Sequence, residues 1–209
     1  MTGPDKPQVV LATRNLGKIS EYRRMLEQAG FSVRGMDQAG VDPRLELPEE
    51  GDTFEANALQ KATALQKITG GWTLGDDSGL EVDALGGAPG VFSARYSGSH
   101  ERGPARDRAN CRKLLEELSD VPDERRTARF VCVIAMPGPE GAVITSRGTC
   151  EGRIIQEPRG ESGFGYDPVF MAAGYDRTMA ELSMDEKNRI SHRGRALSAL
   201  VLKLKNPGA

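Results

Sequence analysis

The feature that most constrains this 209-residue chain is an alternation of short apolar runs with stretches of helical spacing. Residues 8–12 form an apolar run typical of a buried strand, and residues 31–33 look like a second strand. Between the two, apolar side chains recur at helical spacing at Ile19, Tyr22, Leu26 and Ala29. The chain is therefore predicted to open as strand, helix, strand.

Two further segments, the apolar run at residues 130–136 and residues 142–149, flank a short loop rich in Pro and Gly. This pattern predicts an antiparallel hairpin, so the predicted sheet is mixed. Asp52 and Ser183 each occupy the capping position of a capping box, which predicts that a helix begins there, and Ser191 can cap the last helix. The helix after Asp52 is predicted to bury a stripe formed by Phe54, Ala58, Ala62, Leu65 and Ile68.

The composition, with 38% hydrophobic and 28% charged residues, suits one globular domain of one or two lobes over residues 1–209. The longest purely apolar run is too short to cross a bilayer, and the first residues lack the apolar core of a signal peptide. We therefore expect a cytoplasmic protein with no membrane partner. The chain has three cysteines: Cys111, Cys132 and Cys150. Because their number is odd and they lack paired metal spacing, we expect them to be reduced structural thiols rather than metal ligands or nucleophiles.

The charge balance argues against nucleic acid as a partner. A formal charge of -2 does not provide the broad basic face of a duplex binder, and 5% aromatic residues disfavour a single-stranded RNA binder. Basic side chains gather only at residues 177–195, as Arg177, Lys187, Arg189, His192, Arg193 and Arg195. Such a cluster is either a solvated helical face or a site for a compact anion such as a triphosphate.

Two adjacent carboxylates, Asp76 and Asp77, lie between glycines directly after the strand-like residues 72–74. Paired acids on a tight turn suit Mg²⁺, which prefers hard oxygen ligands and commonly reaches its substrate through phosphates. The alternative is an ordinary solvated turn, because Asp, Ser and Gly are common turn residues. Residues 13–18, which join the predicted strand at residues 8–12 to a helix start, are a second candidate. Unpaired backbone N–H groups and the helix dipole favour an anion there, and the alternative is an ordinary connection between a strand and a helix.

Four separated segments together strongly resemble the inosine/xanthosine triphosphate pyrophosphatases: residues 13–18, 76–79, 164–168 and 191–194. The resemblance covers nearly the whole chain. It implies an α/β fold with an elongated mixed β-sheet and flanking helices, whose two lobes enclose a central nucleotide-binding cleft, usually in a homodimer. It further implies hydrolysis of the non-standard nucleotides ITP, dITP and XTP to nucleoside monophosphate and pyrophosphate, with Mg²⁺ as cofactor.

The resemblance also assigns roles by position. Asp77 looks like a metal ligand and the general base, and Glu49 looks like the second metal ligand, with adjacent Glu50 as the alternative. One segment is similar to the loop that binds the phosphates in this family: Thr13, Arg14, Asn15, Leu16, Gly17 and Lys18. The other implied substrate contacts are Ser78, Phe164, Gly165, Tyr166, Asp167, Lys187, His192 and Arg193.

These residue types suit phosphoryl transfer, which needs placement and charge neutralisation more than covalent participation by the protein. We hypothesise that Asp77 or Asp76 orients a water toward the α-phosphorus and that pyrophosphate departs toward Lys18. Phe164 can stack on a purine. Fixed donors such as Arg193 favour the acceptor oxygen at position six of hypoxanthine and xanthine over the donor amine of adenine.

Two other functions stay open at this stage. A pyrophosphatase directed at pyrimidine nucleotides would keep the same acids and cations but select another base. A nucleotide sensor would bind the triphosphate without cleaving it, although paired carboxylates facing a phosphate are unfavourable unless a metal ion is present. Turnover of different nucleotides distinguishes the first alternative, and metal-dependent release of pyrophosphate distinguishes the second.

Overall fold

A computed structural model of the chain describes residues 6–206. Within them, the strands are β1 (Gln8–Leu11), β2 (Ser32–Gly35), β3 (Trp72–Val82), β4 (Thr127–Pro137), β5 (Val143–Ile154) and β6 (Phe170–Ala172). The α-helices are α1 (Leu16–Gln28), α2 (Phe54–Thr69), α3 (Pro104–Glu117), α4 (Met184–Ile190) and α5 (His192–Lys205). A six-residue 3₁₀ helix covers Gly90–Arg95.

The strands form one six-stranded sheet in the order β2-β1-β3-β4-β5-β6. Strand β1 runs parallel to β2 and β3, with Val9 opposite Val33 and Trp72, whereas β5 and β6 are antiparallel. The predicted α/β fold with a mixed sheet and flanking helices is therefore confirmed. No helix within the described residues is long and apolar enough to cross a membrane.

The chain divides into two compact units. The first contains the described residues up to Asp77, Cys132–Gly148 and those from Arg195 onward; its core includes Leu11, Tyr22, Leu26, Leu74, Ile134, Leu197 and Leu200. The second contains Ser78–Val131 and Thr149–Gly194; its core includes Leu80, Leu114, Leu118, Ile154, Val169 and Phe170. Each unit thus has a hydrophobic cluster of its own.

Several local predictions are confirmed. Ser183 and Glu186 form the predicted capping box at the start of α4. The side-chain oxygen of Ser191 accepts a hydrogen bond from the Gly194 N–H at 3.1 Å, as expected for a cap on α5. The three cysteines are buried thiols.

Three local predictions are wrong. Asp76 and Asp77 lie inside strand β3 rather than on a tight turn, because neighbouring elements supply partners for their carboxylates. Thr53, not Asp52, caps α2: its backbone is extended and its side chain accepts from the Ala56 N–H at 3.1 Å. Ile68 is 54% exposed, since it lies in the last turn of α2, where the apolar stripe no longer packs.

Gly75 allows α2 to pack unusually close to β3. A Cβ atom at Gly75 would lie 2.5 Å from the carbonyl oxygen of Ala58 and 2.9 Å from the backbone nitrogen of Ala62. The hydroxyl of Thr73 reinforces the contact by donating to the Ala62 carbonyl at 2.8 Å. The polar residues of α2 are thereby held next to the two aspartates of β3.

We predict that Gly75→Ala lowers the free energy of unfolding by about 2 kcal/mol or more, because the added methyl meets rigid backbone. Urea denaturation monitored by circular dichroism measures the change. Gly86→Ala is the control: its methyl meets nothing within 4 Å, although the backbone φ there is +61°. That variant should lose only about 1 kcal/mol from backbone strain, and equal losses in the two would contradict the close-packing argument.

Candidate active site

The loop after β1 ends in a capped helix start, as expected for an anion site. The side chain of Asn15 accepts a hydrogen bond from the Lys18 N–H at 3.1 Å, and that of Thr13 accepts from the Asn15 N–H at 3.1 Å. Leu16 and Gly17 form the first turn of α1, and Leu16 is 80% exposed. No acidic residue occupies this turn, so the positive end of the helix dipole is not neutralised by its own sequence.

Arg14 is engaged within the same unit. Its guanidinium donates to the Asp37 carboxylate at 3.0 Å and to the carbonyls of Asp42 and Leu45 at 2.7 and 2.9 Å. These bonds tie the loop after β2 to the start of α1. The structure therefore gives Arg14 a part in fixing this loop, and its contact with substrate stays a prediction.

Three acids and two lysines of the first unit form what we call the carboxylate cluster: Glu49, Asp76, Asp77, Lys18 and Lys61. The Lys61 ammonium lies 2.7 Å from Glu49 Oε1 and 3.7 Å from Asp77 Oδ1. The Lys18 ammonium lies 2.7 Å from Asp76 Oδ2. Asp76 thus has its closest cation in Lys18 and Asp77 lies beside Lys61, while the charges of both aspartates act on Lys61.

The electrostatics of the cluster centre on Lys61, which is only 8% exposed. Burial lowers the pKa of Lys61, but the charges of Asp76, Asp77 and Glu49 together outweigh burial and hold the pKa above its ordinary value. The side chain is therefore an ammonium ion at neutral pH. It balances carboxylates that would otherwise repel one another.

Asn57 links the two acidic segments of this cluster. Its side-chain amide donates to Asp77 Oδ2 at 3.0 Å, and its side-chain oxygen accepts from the Gly51 N–H at 2.7 Å. Asn57 is buried, with 1% of its surface exposed. A Cβ atom on Gly51 would lie 2.6 Å from the Ala56 Cβ, so glycine permits the loop to approach α2.

Asn57 and Lys61 are not among the site residues predicted from the sequence. They are four residues apart and therefore share a face of α2. That face adjoins the apolar stripe of Phe54, Ala58, Ala62 and Leu65, and both polar residues are buried with it. Two polar residues at this spacing beside a buried stripe are a signal that the sequence did carry.

The two candidate glutamates have different surroundings, and which of them binds a metal stays a prediction. Glu49 directs its carboxylate to Lys61, beside Asp77. Glu50 contacts the side chain of Gln60 through its backbone N–H at 3.1 Å. Glu49 is thus the glutamate that the structure brings to the carboxylate cluster.

The second unit holds a separate group of predicted site residues, the aromatic-cation group: Phe164, Asp167, Lys187, His192 and Arg193. The Phe164 ring is 56% exposed and has the Lys187 ammonium 4.9 Å and the Arg193 guanidinium 6.0 Å from its centroid. Asp167 Oδ2 accepts from Lys187 Nζ at 2.5 Å and from the Phe164 N–H at 2.8 Å. A Cβ atom on Gly163 would lie 2.3 Å from that same oxygen.

His192 and Arg193 begin α5 and are buried, at 9% and 7% exposure. The imidazole stacks on the Phe130 ring, with centroids 5.0 Å apart and planes inclined by 21°. His192 is therefore partly a packing residue. Ser78 follows Asp77 on β3 and is half-buried.

Residues 164–167 form what we call the 164–167 loop. It is held by neighbouring residues that are not among the site residues predicted from the sequence. Gly165 donates its N–H to Asp107 Oδ2 at 2.8 Å, and its carbonyl accepts from the Cys111 thiol at 3.3 Å. The Tyr166 hydroxyl donates to the Ser93 carbonyl at 2.9 Å. Burial above all raises the pKa of Tyr166, so this hydroxyl stays protonated.

The chain is similar to known proteins over nearly its whole length. The Ham1 family model matches residues 9–203 of the chain. A dITP/XTP pyrophosphatase of Desulfotalea psychrophila is 50% identical over 194 residues, which cover 93% of this chain and 83% of the relative.

Solved structures give the same result. A Ham1 protein of Staphylococcus aureus has a TM-score of 0.85 and 40% identity, covering 96% of this chain and 99% of that chain. A nucleoside-triphosphatase or dITP/XTP pyrophosphatase from Mycobacterium abscessus has a TM-score of 0.77 and 47% identity, covering 92% of this chain and 98% of that chain.

We predict that Asn57→Ala lowers the free energy of unfolding by about 1–3 kcal/mol, because it leaves polar groups at Gly51 and Asp77 without their hydrogen bonds. Chemical denaturation measures the loss. Gln60→Ala is a matched control, since Gln60 also accepts a backbone N–H from this loop but is not a buried residue. The control should change stability by less than about 0.5 kcal/mol; an equal loss would show that Asn57 contributes nothing special.

Proposed function

Since this chain belongs to the Ham1 family, we infer that it is a nucleoside triphosphate pyrophosphatase that hydrolyses ITP, dITP and XTP to the nucleoside monophosphate and pyrophosphate. Relatives named for dITP and XTP along nearly its whole length support this substrate class. The activity removes non-standard purine nucleotides from the nucleotide pool.

One structural observation carries the mechanism: carboxylate oxygens of Glu49 and Asp77 both approach one cationic atom, Lys61 Nζ, at 2.7 and 3.7 Å. The two acids therefore face a common position that favours positive charge. A hydrolase of phosphates needs positive charge to neutralise the phosphate oxygens and also needs acids close by. Two carboxylates beside one cation meet both needs.

The carboxylate oxygens of Glu49 and Asp77 are donors of the kind that suits Mg²⁺. Over residues 6–206, no group of three or more His, Cys, Asp or Glu side chains could hold a metal ion. Mg²⁺, however, commonly uses one or two carboxylates and completes its shell with waters and substrate phosphates. We propose that Glu49 and Asp77 would hold Mg²⁺, which when bound would neutralise charge on the phosphates.

The chain's own residues perform the remaining steps of the proposal. Asp77 takes a proton from the attacking water, which it directs at the α-phosphorus, and the bond from that phosphorus to the bridging oxygen of pyrophosphate breaks. Asn57 keeps the Asp77 carboxylate in place through its bond to Oδ2. The negative charge of the departing pyrophosphate is stabilised by residues 13–18, which include Lys18 and the start of α1.

The aromatic-cation group is proposed to recognise the base. The exposed Phe164 ring offers a face for stacking. Hydrogen-bond donors are supplied by Lys187, His192 and Arg193. These donors suit the oxygen at position six of hypoxanthine and xanthine, which accepts, but not the amine of adenine, which is itself a donor. The backbone of Gly165, Tyr166 and Asp167, with Ser78 on β3, completes the proposed substrate contacts.

The experiment that tests this function is a nucleotide panel assayed for pyrophosphate with and without Mg²⁺. We expect release from ITP, dITP and XTP only with Mg²⁺, and release at least about a hundredfold slower from ATP and dTTP because their bases present the wrong groups. Asp77→Asn should retain the fold and lose about 10²- to 10⁴-fold in kcat, since an amide cannot accept the proton.

Each contrary result of the panel has a distinct meaning. Tight ITP binding without pyrophosphate release would indicate a nucleotide sensor, and preference for dTTP would indicate a pyrimidine-directed enzyme. Full activity in Asp77→Asn would remove Asp77 from the mechanism. If Arg193→Ala, assayed in the same panel, keeps the preference for ITP over ATP, then Arg193 does not read the base.

We also propose that the protein acts as a homodimer in the cytoplasm. The family resemblance supports the dimer, and three buried thiols are consistent with a reducing compartment. Sedimentation equilibrium should give a mass of twice the 22.6 kDa of one chain. A mass of one chain at micromolar concentration would contradict the proposed dimer.

A further inference from the structure

Within the 164–167 loop, Tyr166 is buried in the core of the second unit, but packing alone does not position Phe164. The loop lies between β5 and β6, outside any helix or strand, and Phe164 leaves 56% of its surface exposed. Gly163 and Gly165 both have positive φ, at 85° and 61°. Such a backbone is freely adopted by glycine but is not specified by it, since glycine has many other accessible conformations. Hydrogen bonds from neighbouring residues therefore add to the packing of Tyr166 and fix the backbone on both sides of Phe164.

Helix α3 holds both peptide groups of Gly165. Asp107 accepts its N–H at 2.8 Å, and the Cys111 thiol donates to its carbonyl at 3.3 Å. Asp107 and Cys111 are four residues apart and therefore lie one above the other on the same face of α3. A rigid helix thus contacts one loop residue at two points.

The two contacts differ in strength. The bond to Asp107 involves a carboxylate, and hydrogen bonds to charged acceptors are roughly twice as strong as neutral ones. The Cys111 thiol is a weak donor that stays protonated, because burial, followed by the charges of Asp107 and Asp167, raises its pKa to about 12. Asp107 is consequently the principal anchor.

The anchored peptide group is the one that directly follows the stacking residue. The Gly165 N–H belongs to the peptide that joins Phe164 to Gly165, so fixing it limits rotation of the backbone that carries the ring. On the other side, the Phe164 N–H donates to Asp167 at 2.8 Å. Phe164 is thereby held between two carboxylates, with its ring near Lys187 and Arg193.

We propose that Asp107 is a positioning residue for nucleotide binding, which acts through Gly165 to fix Phe164 against the base. This inference rests on the proposed function of the aromatic-cation group. A loop that is already ordered does not lose conformational freedom when substrate binds, so its anchor strengthens binding without touching the substrate. The chemistry at the α-phosphorus belongs to other residues. Loss of Asp107 should therefore act on KM rather than on kcat.

The test compares Asp107→Ala, Asp107→Asn and Glu116→Ala with the wild-type protein. For Asp107→Ala we expect KM for ITP to rise about tenfold while kcat changes less than about twofold, because one charge-assisted bond that orders the loop is lost. Asn retains an oxygen that can accept from Gly165, so Asp107→Asn should recover most of the wild-type KM. Glu116 is an exposed acid on the same helix, and Glu116→Ala should leave KM unchanged.

Hydrogen exchange of the loop provides a readout independent of activity. Amides of residues 160–167 should exchange about tenfold faster in Asp107→Ala than in the wild type, while those of the β4 and β5 cores keep their protection. A merely structural role is the alternative, because an acid in the first turn of a helix also stabilises the helix dipole. That role would make Ala and Asn equally destabilising and would leave both KM and loop exchange unchanged.

The outcomes distinguish failure of the proposed function from failure of the inference about Asp107. If wild-type protein releases no pyrophosphate from ITP, the proposed function fails, and exchange alone still decides whether Asp107 anchors the loop. If wild type is active but Asp107→Ala retains its KM and its loop protection, the inference about Asp107 is wrong while the proposed function stands.

Discussion

The buried ammonium of Lys61 is the interaction on which the arrangement of the first unit depends. Charges placed inside a strand are costly unless they are paired, and here the charges of Asp76, Asp77 and Glu49 all act on this one cation. Lys61 reaches them because Gly75 lets α2 approach β3, and Asn57 on the same helix face fixes Asp77 and the glutamate-bearing loop. Close packing and charge pairing thus support each other.

The second unit uses a carboxylate in the same way. Asp167 accepts from Lys187 and from a backbone N–H, and Asp107 accepts from another backbone N–H one residue further along. In both units the acids therefore orient cations and loops as well as supply charge. The cations of the second unit remain beside an exposed aromatic ring, where a flat polar ligand can contact both.

The sequence predicted those features that depend on local pattern. The strand-like segments predicted β1, β2, β4 and β5, all of which the structure contains. The capping box at Ser183 correctly predicted the start of α4. Asp76 and Asp77 were assigned to a turn because Asp, Ser and Gly favour turns locally, whereas partners on α1 and α2 stabilise them within β3. The spacing of Asn57 and Lys61 beside a buried stripe marks them as buried polar residues, but no local pattern shows which strand they contact. Arg14 illustrates the same limit, since its partners lie more than twenty residues away along the chain.

The lysines of the carboxylate cluster have a consequence for folding itself. Lys18 and Lys61 already compensate the acids from within the polypeptide, at 2.7 Å from Asp76 and Glu49. Small metal-binding domains such as zinc fingers unfold when a chelator removes their ion, because metal binding supplies their folding free energy. Here the scaffold carries its own counter-ions, so we expect the chain to stay folded, and resistant to proteases, when a chelator removes divalent cations.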